Sequence, residues 1–317
     1  MTWLRWTATR LARLVAALLI SSFVIFSAAS LAPGSPLAAL SNGRTLPPEQ
    51  LEQLRVRFHL DDPFAIRYVK WLGNAVRGDF GISIASRDEV SRLISSRIWV
   101  TGQLVLYASI LILVIGIGLG LLAGLNRGFT DSSVLVLTAL FSAVPAFVAA
   151  TLLTIVFVSK LGWFPALGEG RGIGDRIVHL TLPAVALALP ALALVARVTR
   201  AAVREEAARE HVQTARSRGI PRHQIIQRHV VRNAAVPIIT ISGLTVASLI
   251  TLSAIVERAF SINGLGSYLV RAAATKDIAV VQGISMVIVT AFVVVNLLVD
   301  VCYLILDPRL RALGERQ

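Results

Sequence analysis

Six stretches of this 317-residue chain carry no Asp, Glu, Lys or Arg and are each long enough to cross a bilayer as a helix. They are Leu14–Ala32, Ile98–Asn126, Ser132–Ser159, Ile177–Ala196, Asn233–Val256 and Ile278–Val299. A hydrocarbon core of about 30 Å takes about 20 helical residues. Lipid offers the backbone no hydrogen-bond partner, so such stretches must be helices. A membrane barrel would instead show short alternating segments, which are absent. Composition agrees: the apolar set is 55%, mean hydropathy is +0.72, and charged residues are 15% where soluble domains carry about 25%. Disordered, collagen-like and disulfide-stapled classes are excluded, and the single Cys302 cannot form an intrachain bridge. The fold expected is all-α and polytopic, with six transmembrane helices.

The net charge of +13 fits either a nucleic-acid binder or a membrane protein with Arg-rich cytoplasmic loops. Only Lys70, Lys160 and Lys276 are lysines, and the charges sit between apolar runs, so the membrane reading holds and no nucleic-acid partner is expected. With the N-terminus inside, the inner segments hold Arg5, Arg10, Arg13, Arg127, nine arginines from Arg197 to Arg232, and Arg309, Arg311 and Arg316. The short outer loops hold only Lys160, Arg171, Arg176, Arg258, Arg271 and Lys276. The positive-inside rule then places both termini in the cytoplasm. The first span also has the charge and small-residue pattern of a cleaved signal peptide, but its apolar run is long for one, so it is read as a retained helix.

The chain divides into an N-terminus with its first span (1–32), an extracytoplasmic subdomain (33–97), a five-span core (98–306) and a cytoplasmic tail (307–317). In the subdomain, Pro47-Pro48-Glu49 opens a helix over Gln50–Phe58 and Pro63–Val76 forms an amphipathic helix ended by Gly78. Ser86-Arg87-Asp88-Glu89 has capping-box spacing before Val90–Ile94. No catalytic pattern occurs there, and the segment reads as a packed cap on the outer face.

No phosphate-cradling loop is present, because that loop needs Gly before Lys and the three lysines follow Val69, Ser159 and Thr275. Any ATP hydrolysis must occur on a partner, and the chain is read as non-catalytic. Gly116, Gly120 and Gly124 share a helix face and read as a packing surface. No pair among His59, His179, His211, His223 and His229 has zinc-site company, so no metal is expected. A Ser285–His179 nucleophile pair lacks a third group. Glu257 and Asp300 end the fifth and sixth spans, close enough to the interface to be solvated, and read as structural. Pro145, Pro183 and Pro190 should kink or loosen their helices.

The informative region is the loop 200–232, reading EHVQTARSRGIPRHQIIQRHVVRNAAVP from Glu210 to Pro237. Val212, Ala215 and Arg216 share a face by three- and four-residue spacing. Gly219 can end that helix with φ > 0 and Pro221 can start the next. A short helix followed by a sharp turn is more than orientation requires, and it reads as a partner-docking element.

Here the chain resembles the permease subunit of binding-protein-dependent ABC importers of the dipeptide/oligopeptide/nickel family. The resemblance rests on Glu210-His211-Val212, then Thr214-Ala215-Arg216-Ser217-Arg218-Gly219, followed by His229, Arg232-Asn233-Ala234 and Pro237. It extends to Pro33-Gly34-Ser35-Pro36, Leu60-Asp61-Asp62-Pro63, Trp71-Leu72-Gly73-Asn74, Arg77-Gly78-Asp79-Phe80-Gly81, the segment Phe260 to Gly266, Asn296 to Asp300, and Leu306-Asp307-Pro308-Arg309. Ser35 and Asn263 depart from the usual Asp and Pro. The long segment after the first span resembles the first of the two permeases in such operons. The resemblance implies a type I importer permease fold in a bacterial cytoplasmic membrane. The implied partners are a second permease, two ATPase subunits carrying ATP and Mg, and an extracytoplasmic solute-binding protein. It also makes Glu210–Gly219 the coupling helix. Dipeptides, oligopeptides, nickel chelates and glutathione all fit as cargo; a stand-alone secondary transporter and an intramembrane enzyme are the rival classes.

Overall fold

The structure, a computed structural model, describes residues 3–31, 62–165, 167–170 and 172–306. The motifs at Pro33–Pro36, Pro47–Glu49, Gln50–Phe58, Leu60–Asp61 and Asp307–Arg309 lie outside the described residues. Ten helices account for almost all of the remainder: α1 (Trp3–Leu31), α2 (Phe64–Val76), α3 (Val90–Leu125), α4 (Phe129–Ala143), α5 (Ala146–Lys160), α6 (Gly172–Ala208), α7 (Glu210–Ser217), α8 (Arg222–Ala259), α9 (Leu265–Ala274) and α10 (Ile278–Leu306). Among the described residues the only β pairing is an isolated bridge between Ile82 and Glu89.

Five helices (α1, α3, α6, α8 and α10) are long and apolar enough to cross a membrane, and α4 with α5 makes a sixth if the pair counts as one span. In that pair the kink expected at Pro145 is a full corner, because its halves meet at 97°. Val144 before the proline is extended (φ −97°, ψ 112°), the conformation the proline ring imposes on its predecessor. Pro145 then stands at the start of α5, where its missing N–H costs nothing. Pro183 and Pro190, expected to act similarly, lie inside an uninterrupted α6. α6 is the most enclosed of these helices, and packing around it keeps both prolines helical.

The core is built on α6, whose Leu180, Leu187, Leu192, Val195 and Val203 are all buried. α3 lies against it through the glycine face. A Cβ at Gly116 would stand 3.2 Å from the Leu192 carbonyl oxygen, at Gly120 2.6 Å from that of Ala196, and at Gly124 2.8 Å from Val203 Cγ1. The small-residue reading of this face is therefore met atom for atom. Gly120→Leu should force the two helices apart and cost about 1–3 kcal/mol or more, as overpacking does. The check is the melting temperature of the purified chain in detergent, and an unchanged value would mean that this face meets no helix.

The opposite face of α3 carries Leu106, Ile110 and Val114 outward, and α1 does the same with Leu11, Ile20 and Val24. Contiguous apolar surface of this extent must be covered by lipid or by another apolar protein. α1 runs along α10, where Arg10 pairs with Asp300. Gly243 of α8 admits Val299 of α10, leaving no room for a Cβ.

At the end of the bundle away from α7, α2 packs its aromatic side on α1. Phe23 meets Phe64 and Tyr68 edge to face, as Phe26 does Phe64, while Phe26 and Tyr68 are tilted, with centroids 5.3–6.0 Å apart. The expected helix over 63–76 forms, with Gly78 at φ 83° after its end. The capping box does not. Glu89 occupies the N-cap position of α3 without a side-chain bond, and the Ser86 N–H instead donates to Ser83 Oγ at 3.0 Å. Buried Asp277 competes for the same loop, accepting from Ser83 Oγ at 2.5 Å and from the Ala85 N–H at 3.1 Å.

Candidate functional site

Between α6 and α8 the chain makes one short exposed helix with two well-defined ends. Arg209 is extended (ψ 151°) and opens α7, while Gly219 closes it at φ 73°. The closing turn is a Schellman motif: the Gly219 N–H donates to the Arg216 carbonyl at 3.0 Å and the Ile220 N–H to that of Ala215 at 3.2 Å. Pro221 then occupies the N-cap position of α8. The expected helix, glycine stop and proline start are all present.

The face expected to dock divides in two. Val212 and Ala215 are buried in this chain's own cluster, with Val203, Ile225, Val230, Ala234 and Ile238. They fasten α7 to the ends of α6 and α8 and cannot also meet a partner. Glu210, His211, Gln213, Thr214, Arg216, Ser217 and Arg218 are exposed. The surface open to a partner is thus polar and rich in arginine.

A second anchor was not read from the sequence. Glu206, 4% exposed, receives Arg209 Nε at 3.0 Å, His211 Nε2 at 3.2 Å and Asn233 Nδ2 at 2.9 Å. One carboxylate therefore joins the last turn of α6, the first turn of α7 and the third turn of α8. The available signal was Glu206 three residues before Arg209. His211 and His229 lie with ring centroids 6.1 Å apart. Together with Glu206, Arg232, Asn233 and Pro237 they line a cleft of about 1090 Å³. The structure thus gathers His211, His229, Arg232, Asn233 and Pro237 around one cleft, and sets Thr214, Arg216, Ser217 and Arg218 on the outer surface of α7. His229 belongs to a π-helical stretch, Ile226–Val231, within α8. Among the described residues no group of three His, Cys, Asp or Glu is placed to hold a metal.

Next to this region Asp131, at the start of α4, accepts from Arg200 Nε at 2.5 Å and from Arg204 Nη1 at 3.0 Å. Arg204 also donates to the Asn126 carbonyl at the end of α3, at 3.0 Å. Arg200 and Arg204 share a face of α6 by four-residue spacing. That, with the lone acid beside the third span, was the sequence signal for this clamp.

Glu257 corrects one expectation and meets another. It is fully buried, not solvated, and its role is structural. Thr101 Oγ1 donates to it at 2.7 Å, Ser253 Oγ at 3.1 Å and the Ser267 N–H at 2.8 Å. Thr101 Oγ1 in turn accepts from the Leu265 N–H at 2.8 Å. Two first-turn amides of α9, those of Leu265 and Ser267, are satisfied in this way by α3 and α8. Gly264 lacks a Cβ because one would stand 2.5 Å from the Glu257 oxygens. His179, considered with Ser285, is instead occupied by Asp175 at 3.2 Å on its own helix.

A bundle of long apolar helices, with one short, doubly anchored helix projecting at its end, defines a multi-pass membrane component. The chain belongs to the family of binding-protein-dependent transport system inner membrane components, whose profile matches residues 116–312. The N-terminal profile of the same systems matches residues 3–105. The oligopeptide transport system permease protein AppB of Bacillus subtilis is 36% identical over 303 residues, covering 92% of this chain and 93% of that protein. A Brucella abortus protein named as a peptide transport system permease is also 36% identical, over 306 residues, covering 95% and 97%. The inward-facing MetNI methionine ABC transporter has a chain of the same fold, with TM-score 0.54 and 16% identity over 68% of this chain and 96% of that one. The architecture is that of a type I ABC importer permease.

Proposed function

We propose that this chain is one of two permease subunits of an ABC importer that takes up di- or oligopeptides across the bacterial cytoplasmic membrane. The observation that carries the reading is α7. It is held on one side by Val212 and Ala215 and at its base by Glu206, and it presents the outer face of Glu210–Gly219 to a partner. A helix fixed so firmly to the ends of two membrane helices transmits motion instead of absorbing it. The arginine distribution supports a cytoplasmic α7, where an ATPase subunit would receive it.

On this reading two ATPase subunits bind ATP and Mg and close on α7, rocking the bundle outward. A second permease covers part of the exposed apolar surface. An extracytoplasmic binding protein delivers solute to the α2–α9 end. Peptide cargo is supported by the names of the relatives; nickel chelates and glutathione are the alternatives within the family. A stand-alone transporter would show broken helices around a midplane charge, and α4–α5 breaks without one.

The test is co-expression of this chain with its neighbouring genes, followed by affinity purification through a tag on this chain. ATPase subunits and a second permease should be retained. Proteoliposomes of that complex should accumulate labelled tripeptide only with ATP and the binding protein. This chain alone, lacking a Gly-Lys loop, should hydrolyse no ATP. Uptake by this chain alone, driven by an ion gradient, would overturn the proposal.

A further inference from the structure

At the end of the bundle opposite α7, two guanidinium groups meet on one tyrosine ring with no carboxylate in ion-pair contact among the described residues; Glu169 attracts Arg97 only from farther away. The Arg97 guanidinium carbon, on α3, lies 4.1 Å from the ring centroid of Tyr268. That of Arg271, on α9, lies 4.8 Å from the same centroid. Tyr268 is buried, 7% exposed, and holds both cations by cation–π attraction. Arg97 donates from Nη1 to the Leu93 carbonyl at 2.7 Å and to Ser96 Oγ at 2.9 Å, but its Nε is buried without a partner. Among the described residues neither arginine has a carboxylate within ion-pair distance.

Two like charges drawn onto one ring repel each other, and with Glu169 attracting Arg97 only from beyond ion-pair distance, an anion in contact with both would lower that cost. The frame is rigid. Arg97 precedes Thr101 by one turn of α3, Tyr268 follows Ser267, and Thr101 and Ser267 are both bound into the Glu257 network. A paired guanidinium site of this kind suits a planar, bidentate carboxylate.

We propose that Arg97 and Arg271, on the platform of Tyr268, form a binding site for a carboxylate of the transported solute at the outer mouth of the permease. This rests on the import reading above, and with peptide cargo the group received is the C-terminal carboxylate. A lipid phosphate is the competing anion, because Arg271 is exposed.

The experiment uses the purified full chain in phosphatidylcholine nanodiscs. Phenylglyoxal adducts at Arg97 and Arg271 are followed by mass spectrometry in the presence of acetate, tri-alanine or tri-alanine amide. A ligand at about ten times its Kd leaves about one-tenth of sites free. Acetate and tri-alanine should therefore slow both modifications about tenfold at that excess, and the amide should not. In Arg271→Gln, an exposed change, the protection of Arg97 should be lost. Protection by acetate without protection by tri-alanine supports the carboxylate site and counts against peptide cargo. Equal modification with and without both carboxylates overturns the site. So does protection that appears only in phosphatidylglycerol nanodiscs, which would make it a headgroup contact.

Discussion

Ala215→Asp should strip the folded permease from the membrane, while Arg216→Glu should leave it in place but unable to respond to its ATPases. The two positions are neighbours on α7, about 100° apart around its axis, so one is buried and the other exposed. Ala215 is 5% exposed and packs among Val203, Ile225 and Val230, none of which can pair with a carboxylate. A buried charge left without a partner costs about 3–5 kcal/mol, a large share of the ~5–15 kcal/mol that holds a typical domain together. The loss should appear as a low yield of folded chain after detergent extraction. Arg216 is exposed, and reversing its charge leaves the fold and its melting temperature unchanged. Its effect should appear only when the ATPases are present, as weak retention or as hydrolysis indifferent to loaded binding protein. Both variants transporting normally would mean that α7 only orients the chain.

The second large effect is expected at Glu257. Replacing it with Leu leaves the Thr101 hydroxyl and the Ser267 N–H without their acceptor beside a fully buried position, while Ser253 Oγ keeps the Ile250 carbonyl at 2.9 Å. Each buried donor so orphaned costs about 1–3 kcal/mol. The losses fall on α3 and α9 together, so α9 should detach from the bundle before the rest unfolds. Hydrogen exchange on the purified chain should show amides of Leu265–Ala274 exposed early in Glu257→Leu. Glu257→Gln keeps an acceptor oxygen and the same volume, and should retain most of the protection. Exchange in Glu257→Leu equal to that of the unaltered chain would show that α9 is held by its apolar side alone.

What the sequence disclosed follows from the range of the forces involved. Spans are local: a run without charge must be helical in lipid, and the helices found contain the six windows almost entirely. The stop of α7 is local too, because Gly219 needs only its own φ and Pro221 only its own ring. The glycine face of α3 was legible because three small residues four apart can serve little else. By contrast, nothing in Ile177–Ala196 says that Pro183 and Pro190 will stay helical while Pro145 breaks its span. That outcome depends on the enclosure of α6. Asp131 and Asp277 were missed for the same reason, since each finds its partners across distant parts of the chain, and Glu206 because its bond to Asn233 spans 27 residues. The face of α7 was half misread because a single helix cannot show which of its neighbours is its own chain.

The π-helical turn Ile112–Gly116 in the middle of α3 carries one more consequence. Such a turn holds one residue more than the α-helix around it. Since each α-helical residue rotates the axis by about 100°, the turn resets the phase of everything beyond it. The outer half of α3 presents Thr101, Leu104 and Ala108 to the core, while the inner half presents Gly120 and Gly124. Those two faces are brought into line by the extra residue, which serves as a phase joint between two otherwise independent rods. The outer rod carries the Thr101 bond to α9, and the inner rod lies in the groove that leads to α7. Removing that one residue would swing Gly120 and Gly124 off α6 while leaving the outer half untouched. The length of this apolar stretch is thus constrained to the single residue, although no side chain within it performs any chemistry.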